Sequence, residues 1–156
     1  MPKKEYLRFD FDDIAFRAIA IHTALPPALL AWQIDRFLGT KFSILPFSFS
    51  LKTKKSTSEH AQYYFRDEEF DTEWWILENQ GTQESLMQVK PLPDMILIGR
   101  GGEDDNASEI WLEKLKSIPG ISLSYEVADK VKKKLTWITW LSDKKVKDPD
   151  QDQEKE

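Results

Sequence analysis

Apolar residues recur with helical spacing in two parts of the chain, and the first of these parts follows a pair of prolines. Leu30 and Ile34 lie four residues apart, on one face of a predicted helix. Pro27 suits the first turn, where no backbone amide needs a partner. Thr23 is a possible N-cap, and Gly39 occupies the position of a C-terminal cap. These signals predict a helix that starts near Pro27 and ends before Gly39.

The second helical pattern lies in the C-terminal third of the chain. Trp111, Leu115 and Ile118 repeat at spacings of four and three. Asn106 and Glu109 have the spacing of a capping box at its start, although Asn is less typical there than Ser or Thr. A Pro-Gly pair ends the pattern, so we expect a second, shorter helix.

The remaining apolar and aromatic residues alternate or form short runs, which is typical of strands. Residues 14–21 are apolar on both faces and indicate an inner strand, and the apolar run 94–98 is expected in the middle of the sheet. Pro46 cannot donate to a ladder, so the strand around it belongs at an edge. Residues 52–60 are polar and predict a mobile loop. Further strands are predicted over 61–65, 72–77, 85–90, 121–127 and 135–141.

Few helices among many hairpin-like strands predict the fold class. We expect an α+β fold with a mainly antiparallel sheet of about six to eight strands and two helices packed on one face. A length of 156 residues suits one domain, which we place at residues 11–142. Residues 143–156 contain one large apolar residue, Val146, and predict a disordered charged tail.

Composition and charge exclude several classes of function. The chain contains no cysteine, which rules out disulfides, thiolate catalysis and Cys-based zinc sites, and two histidines argue against a His-rich metal centre. A net charge of −5 argues against capture of nucleic acid or anionic lipid. Arg17, His22 and a proline pair interrupt the apolar stretch 14–32, so it predicts neither a signal peptide nor a membrane span. We expect a cytoplasmic protein without a metal, a cofactor or a membrane partner.

Aromatic residues make up 12% of the chain, with six Trp, nine Phe and four Tyr. In a strand, the adjacent residues Trp74 and Trp75 must point to opposite faces of the sheet. If two helices cover one face only, rings on the other face would meet water, and exposed aromatic surface usually marks an interface. We therefore expect a non-enzymatic domain that forms a homodimer or binds a protein partner through Tyr63, Trp75 and Trp137.

A small-ligand site is the alternative, with weak enzymatic activity as one version of it. Gly99 to Gly102 form a glycine-rich loop between a buried strand and a helix, where backbone N–H groups could bind a phosphate. His22 lies at another junction of strand and helix. A site for a small anionic ligand or nucleotide would then contain His22, Arg100, Gly101 and Gly102. The acidic residues 103–105 favour instead an ordinary turn with helix-capping carboxylates.

Two lysine clusters, at residues 52–55 and 130–134, suggest a further and weaker alternative. Together with the neighbouring aromatic residues they could form a platform for single-stranded RNA. The acidic turn at residues 66–73 opposes such a surface, so a solvated charged face is the simpler interpretation.

Several short segments together resemble one protein family. They are Leu30-Ala31-Trp32 followed by Ile34, then Leu77-Glu78-Asn79, then Asp94 before a buried strand, and finally Ile118-Pro119. This layout resembles the IPExxxVDY family, small bacterial proteins with no established activity. The naming motif is incomplete, because Gly120 replaces its glutamate and Val127 and Asp129 are the nearest counterparts of its Val-Asp pair. The resemblance implies a shared fold and a cytoplasmic setting, and it supplies no catalytic residue.

Overall fold

The structure is a computed structural model and describes residues 16–45, 48–102, 107–138 and 141. Several predicted features lie wholly or partly outside these residues. They are the start of the first strand at Ile14, Pro46, the acidic residues 103–105 before the second helix, and the C-terminal tail. In chain order the elements are β1 Phe16–Thr23, α1 Pro27–Leu38, β2 Ser43–Ile44, β3 Phe49–Lys52, β4 Thr57–His60, β5 Gln62–Asp67, β6 Thr72–Glu78, β7 Met95–Gly101, α2 Ala107–Leu115, β8 Ile121–Glu126 and α3 Asp129–Lys132.

Six strands form one antiparallel sheet in the order β2-β5-β6-β7-β1-β8, and β3 and β4 form a separate two-stranded sheet. The predicted α+β class is therefore confirmed. The two most apolar strands, β1 and β7, pair with each other near the middle of the sheet, where both of their faces are buried. The short strand β2 lies at one edge, as expected for the segment that contains a proline.

Helices α1 and α2 both pack on the same face of the large sheet, as predicted. Leu30 and Ile34 of α1 and Trp111 and Leu115 of α2 belong to one buried cluster with β1, β6 and β7. Gly39 ends α1 in the left-handed region, with φ of 75°, and its N–H donates to Asp35.

The start of α1 differs from the prediction. Pro26 occupies the N-cap position without a side-chain hydrogen bond. The Thr23 hydroxyl instead donates to the carbonyl oxygen of Gly120 and accepts from the N–H of Leu25. Thr23 thus ties the end of β1 to the turn before β8, a contact between distant parts of the chain.

The other face of the large sheet is also covered, which corrects the expectation of an exposed aromatic face. The β3–β4 hairpin contributes Phe49 and Leu51, and the segment after β8 contributes Leu135, Trp137 and Ile138 to a second buried cluster. Both faces of the sheet are therefore shielded from water within one protomer.

The three aromatic residues predicted to form an interface are consequently buried. Trp75 is fully inaccessible, and Trp137 is 4% exposed and donates from Nε1 to the carbonyl oxygen of Leu86. Tyr63 lies on the helix-covered face, where burial raises the pKa of its hydroxyl. Trp74 and Trp75 do point to opposite faces, as expected, but each face has its own cover.

Three predicted elements are wrong. Residues 135–138 do not form a strand: residues 136 and 137 form a turn and Ile138 is helical, and Leu135, Ile138 and Leu141 recur at a spacing of three that suits a helical or turn conformation. The polar residues 52–60 form most of the β3–β4 hairpin, since the buried hydroxyl of Ser58 is satisfied by the backbone of residues 83 and 84. Residues 85–90 form no strand and make one isolated β-bridge, between Ser85 and Gln80. The backbone N–H and C=O of Met87 are hydrogen-bonded to the side chain of Asn79 and so do not pair with a neighbouring strand.

Candidate functional site

The sequence-predicted ligand residues do not come together in the fold. Strands β1 and β7 are antiparallel, with Arg17 opposite Gly99 and Ile21 opposite Met95. His22 therefore lies at the opposite end of the strand pair from Gly99, about 16 Å away along β1. The half-buried His22 contacts Tyr125, with Nε2 and the hydroxyl oxygen 3.2 Å apart. His22 and the glycine-rich loop do not form one site.

Arg100 is separated from the rest of the loop by the alternation of side chains along β7. It lies opposite Phe16, whose ring packs on the face covered by the β3–β4 hairpin. Its neighbours Gly99 and Gly101 share the helix-covered face with Arg17. Arg100 therefore cannot act together with a ligand bound on that face.

The close packing of the loop against the β5–β6 turn explains its glycines. Gly101 and Gly102 have φ of 88° and 72°. A Cβ on Gly101 would come within 2.6 Å of the carbonyl oxygen of Asp71, and one on Gly102 would come equally close to the methyl group of Thr72. These contacts require glycine for packing and do not point to a phosphate-binding loop.

A pocket nevertheless lies beside this loop, on the helix-covered face. The start of β1, the end of α1, the β5–β6 turn and α2 surround it, and its volume is about 510 Å³. We call it the helix–hairpin pocket. It is lined by Arg17, Leu38, Thr40, Asp67, Phe70, Thr72, Trp74, Gly102, Ala107, Ile110, Trp111 and Lys114.

Two stacked tryptophans form the inner wall of the pocket. The rings of Trp74 and Trp111 are 4.2 Å apart between centroids and tilted by 25°. Phe42 meets Trp111 edge to face at 6.4 Å and supports it from the side of α1. The wall joins a strand to a helix, so its shape depends on the packing of the whole face.

Arg17 is held in place at the base of this wall. Its Nη1 donates to the carbonyl oxygen of Gly101 at 3.0 Å, and its guanidinium carbon lies 6.0 Å from the centroid of the Trp74 ring. A guanidinium fixed by a carbonyl and an aromatic face loses little side-chain freedom when it binds an anion.

The other charged groups of the pocket lie on α2 and on the β5–β6 turn. Lys114 is in the last turn of α2. Asp67 stabilises the β5–β6 turn, because its Oδ1 accepts hydrogen bonds from the backbone N–H groups of Glu69 and Phe70. Among the residues that the structure describes, the lining thus carries two cationic side chains and one carboxylate.

Of the sequence-predicted ligand residues, only Gly102 lines the pocket. Sequence reasoning did not single out the pocket-lining residues Arg17, Trp111 and Lys114, because each had an ordinary explanation as part of a strand or a helix. Two signals could have found them. Arg17 is a lone charged residue within an inner strand, and Trp111 and Lys114 lie three residues apart, on one face of a helix.

Within the described ranges, no helix is long and apolar enough to cross a bilayer, and His, Asp and Glu side chains form no group that could hold a metal ion. No family model matches the chain, and no curated protein matches it. Membership of the IPExxxVDY family stays a prediction.

Proposed function

We propose that the protein binds a small anionic molecule in the helix–hairpin pocket. The observation that carries this proposal is the combination of an apolar concavity of about 510 Å³ with two cationic side chains, Arg17 and Lys114, in its lining. Ligand sites typically have this size and consist of apolar walls with a few polar groups that fix orientation.

The charges of the pocket stand out against the rest of the molecule. The whole chain has a net charge of −5, whereas the described residues of the lining include the cationic side chains of Arg17 and Lys114 beside the carboxylate of Asp67. A small anionic ligand can contact these two cationic side chains directly, so their local charge affects it more than the net charge of the protein does. The pocket therefore supports the ligand class of the alternative sequence-based hypothesis, at a different place.

The proposal is tested with 8-anilinonaphthalene-1-sulfonate, an anionic aromatic probe whose fluorescence rises in apolar sites. Lys114→Gln removes one cation from the pocket and should weaken binding of the probe about fivefold, the loss of one charge-assisted contact. Lys116→Gln is the matched control, because Lys116 is an exposed lysine just after the same helix and does not line the pocket.

Equal probe affinities in the wild type and in Lys114→Gln would contradict the proposal. Circular dichroism and urea unfolding of each variant check that the fold is unchanged. Probe binding to a partly unfolded protein would appear in all variants alike and would not depend on residue 114.

Self-association is a second candidate function, and an exposed row on α1 favours it. Leu29 and Trp32 lie on the side of α1 opposite the buried residues, and Trp32 is 53% exposed. The guanidinium of Arg36 lies over the Trp32 ring at 4.8 Å. Trp and Arg are enriched at protein interfaces, and this pair is accessible, unlike Tyr63, Trp75 and Trp137.

Sedimentation velocity at increasing protein concentration tests this second candidate. Trp32→Ser should shift a dimer toward monomer, whereas Leu123→Ser, at an exposed apolar residue on β8, should leave it unchanged. A protein that stays monomeric at the highest concentration would rule out self-association through α1.

A further inference from the structure

Strand β8 forms one edge of the large sheet, and among the described strands it pairs with β1 only. The strand at the opposite edge, β2, has two residues, whereas β8 has six and its sequence contains neither proline nor lysine. Short edge strands, prolines and lysines are the usual protection of a sheet edge against pairing with another strand. The edge at β8 therefore lacks the protection that the edge at β2 has.

The backbone groups of Ser124 and Glu126 point away from the sheet. The N–H of Val127 donates to the carbonyl oxygen of Ala18, so Val127 faces β1. Successive residues of an antiparallel edge strand direct their backbone groups alternately toward and away from the neighbouring strand. Tyr125 therefore also faces β1, and Ser124 and Glu126 face outward. The described part of the chain places no strand beyond β8 to pair with them.

The same two residues carry a hydrogen-bond donor and an acceptor on one face of the sheet. Ser124 and Glu126 lie opposite Ile21 and Ile19, on the helix-covered face. The hydroxyl of Ser124 is buried and has no hydrogen-bond partner among the described residues. Glu126 is exposed, and hydrogen bonds to a carboxylate are among the strongest that a hydroxyl makes. Side by side on one strand, the two side chains are complementary to an antiparallel copy of the same strand.

We infer that two copies of the protein pair antiparallel through β8 and form one continuous sheet. Tyr125 lies on the two-fold axis, so that Ser124 of each copy lies opposite Glu126 of the other. Four backbone hydrogen bonds join the copies, and each Ser124 hydroxyl donates to a Glu126 carboxylate. On the other face of the sheet, Leu123, which is 50% exposed, lies opposite Val127 of the second copy.

The charge and the irregularity of β8 select this register. A pairing centred on Glu126 would place two carboxylates directly opposite each other, which is destabilising. A pairing centred on Ser124 would engage Ser122, where the register between β8 and β1 shifts. The pairing centred on Tyr125 uses the regular part of β8 and gives the buried hydroxyl an acceptor.

Sedimentation velocity at increasing protein concentration tests the contact. Ser124→Ala removes a hydroxyl that has no partner within one chain, so the stability of the monomer in urea unfolding should not fall. The dimer loses two hydrogen bonds to carboxylates, so its dissociation constant should rise at least about tenfold. Trp32→Ser is the matched control and should leave this constant unchanged, because it changes α1 and leaves β8 intact.

Amide hydrogen exchange followed by NMR tests the backbone pairing itself. At high protein concentration, the amides of Ser124 and Glu126 should exchange about tenfold more slowly or less, and dilution should reverse this protection. The amides of Leu123 and Tyr125 already face β1 in the monomer and should change less. These two residues are the internal control on the same strand.

Leu123→Ser distinguishes association through β8 from association through α1. It should weaken a dimer formed through β8 about threefold, since Leu123 faces the second copy, and it should leave a dimer formed through α1 unchanged. A dimer that responds to Trp32→Ser and not to Leu123→Ser would overturn this inference and support the second candidate function.

Two further outcomes would overturn the inference. One is a protein that stays monomeric at the highest concentration. The other is a dimer that Ser124→Ala does not weaken, or in which the amides of Ser124 and Glu126 exchange at the same rate at every concentration. Neither outcome affects the proposed ligand site, because no residue of β8 is among the described residues that line the helix–hairpin pocket.

Discussion

Trp74 lies directly opposite Gly99 in the β6–β7 pair, and its indole ring occupies the space that a side chain on residue 99 would fill. A Cβ on Gly99 would collide with the six-membered part of the ring. The absence of a side chain at one position thus sets the place of the ring at the other. Because Trp74 stacks on Trp111, Gly99 also sets the inner wall of the helix–hairpin pocket.

Gly99→Ala should therefore both destabilise the protein and change the pocket. The added methyl group must displace a buried ring, and overpacking of this kind costs about 1–3 kcal/mol of unfolding free energy. We expect the loss in urea unfolding, together with weaker binding of 8-anilinonaphthalene-1-sulfonate.

A double-mutant cycle provides the control for this prediction. Trp74→Leu leaves room beside residue 99, so adding Gly99→Ala to it should cost less than Gly99→Ala costs in the wild type. Additive effects of the two substitutions would show that the ring does not limit residue 99.

Trp137 and Trp32 form a matched pair for testing which tryptophans hold the fold together. Trp137→Ala removes a buried ring and its hydrogen bond to Leu86, and should cost about 3–5 kcal/mol. Trp32→Ala changes an exposed ring and should stay within about 0.5 kcal/mol. Urea unfolding of both variants at a low protein concentration, which disfavours any dimer, measures the difference. Similar losses would contradict the burial of Trp137 beneath the sheet.

His60 is a buried histidine with one bonded and one unbonded ring nitrogen. Nδ1 donates to the carbonyl oxygen of Glu78 at 2.8 Å. Nε2 has no hydrogen-bond partner among the described residues, and a Cβ on Gly81 would lie 2.5 Å from it. Protonation would place a buried N–H there without an acceptor.

Burial consequently lowers the pKa of His60 below its ordinary value of 6.5, although the carbonyl and carboxylate of Glu78 and the carboxylate of Glu59 act against this shift. The unfolded chain then binds a proton at a higher pH than the folded protein does. The titration of His60 should therefore leave the free energy of unfolding unchanged well above pH 6.5. Below that pH the free energy of unfolding should fall until the pH reaches the lowered pKa, by at most about 1.4 kcal/mol per pH unit from this group.

Urea unfolding between pH 7.5 and pH 5, in the wild type and in His60→Gln, measures this dependence. The slope of stability against pH should be smaller in His60→Gln, whatever its absolute stability. Parallel curves for the wild type and His60→Gln would contradict the prediction.

The residues of the candidate site were harder to predict from the sequence than the helices and strands that carry them. The sequence placed His22 and the glycine-rich loop each at a junction of a predicted strand and helix, and the alternative hypothesis combined them in one site. Antiparallel pairing of β1 with β7 instead places the ends of the two strands on opposite sides of the sheet. Arg17, at the start of β1, is the residue that this pairing brings beside the loop.

The sequence by itself determined most helices and strands, the class of the fold and the opposite directions of Trp74 and Trp75, because these follow from periodicity over a few residues. Only the tertiary structure decided what covers the second face of the sheet. The β3–β4 hairpin and the segment 135–138 are polar or irregular in pattern, and their packing depends on contacts between distant parts of the chain. For the same reason, the pocket lining comes from separate segments that no local pattern connects.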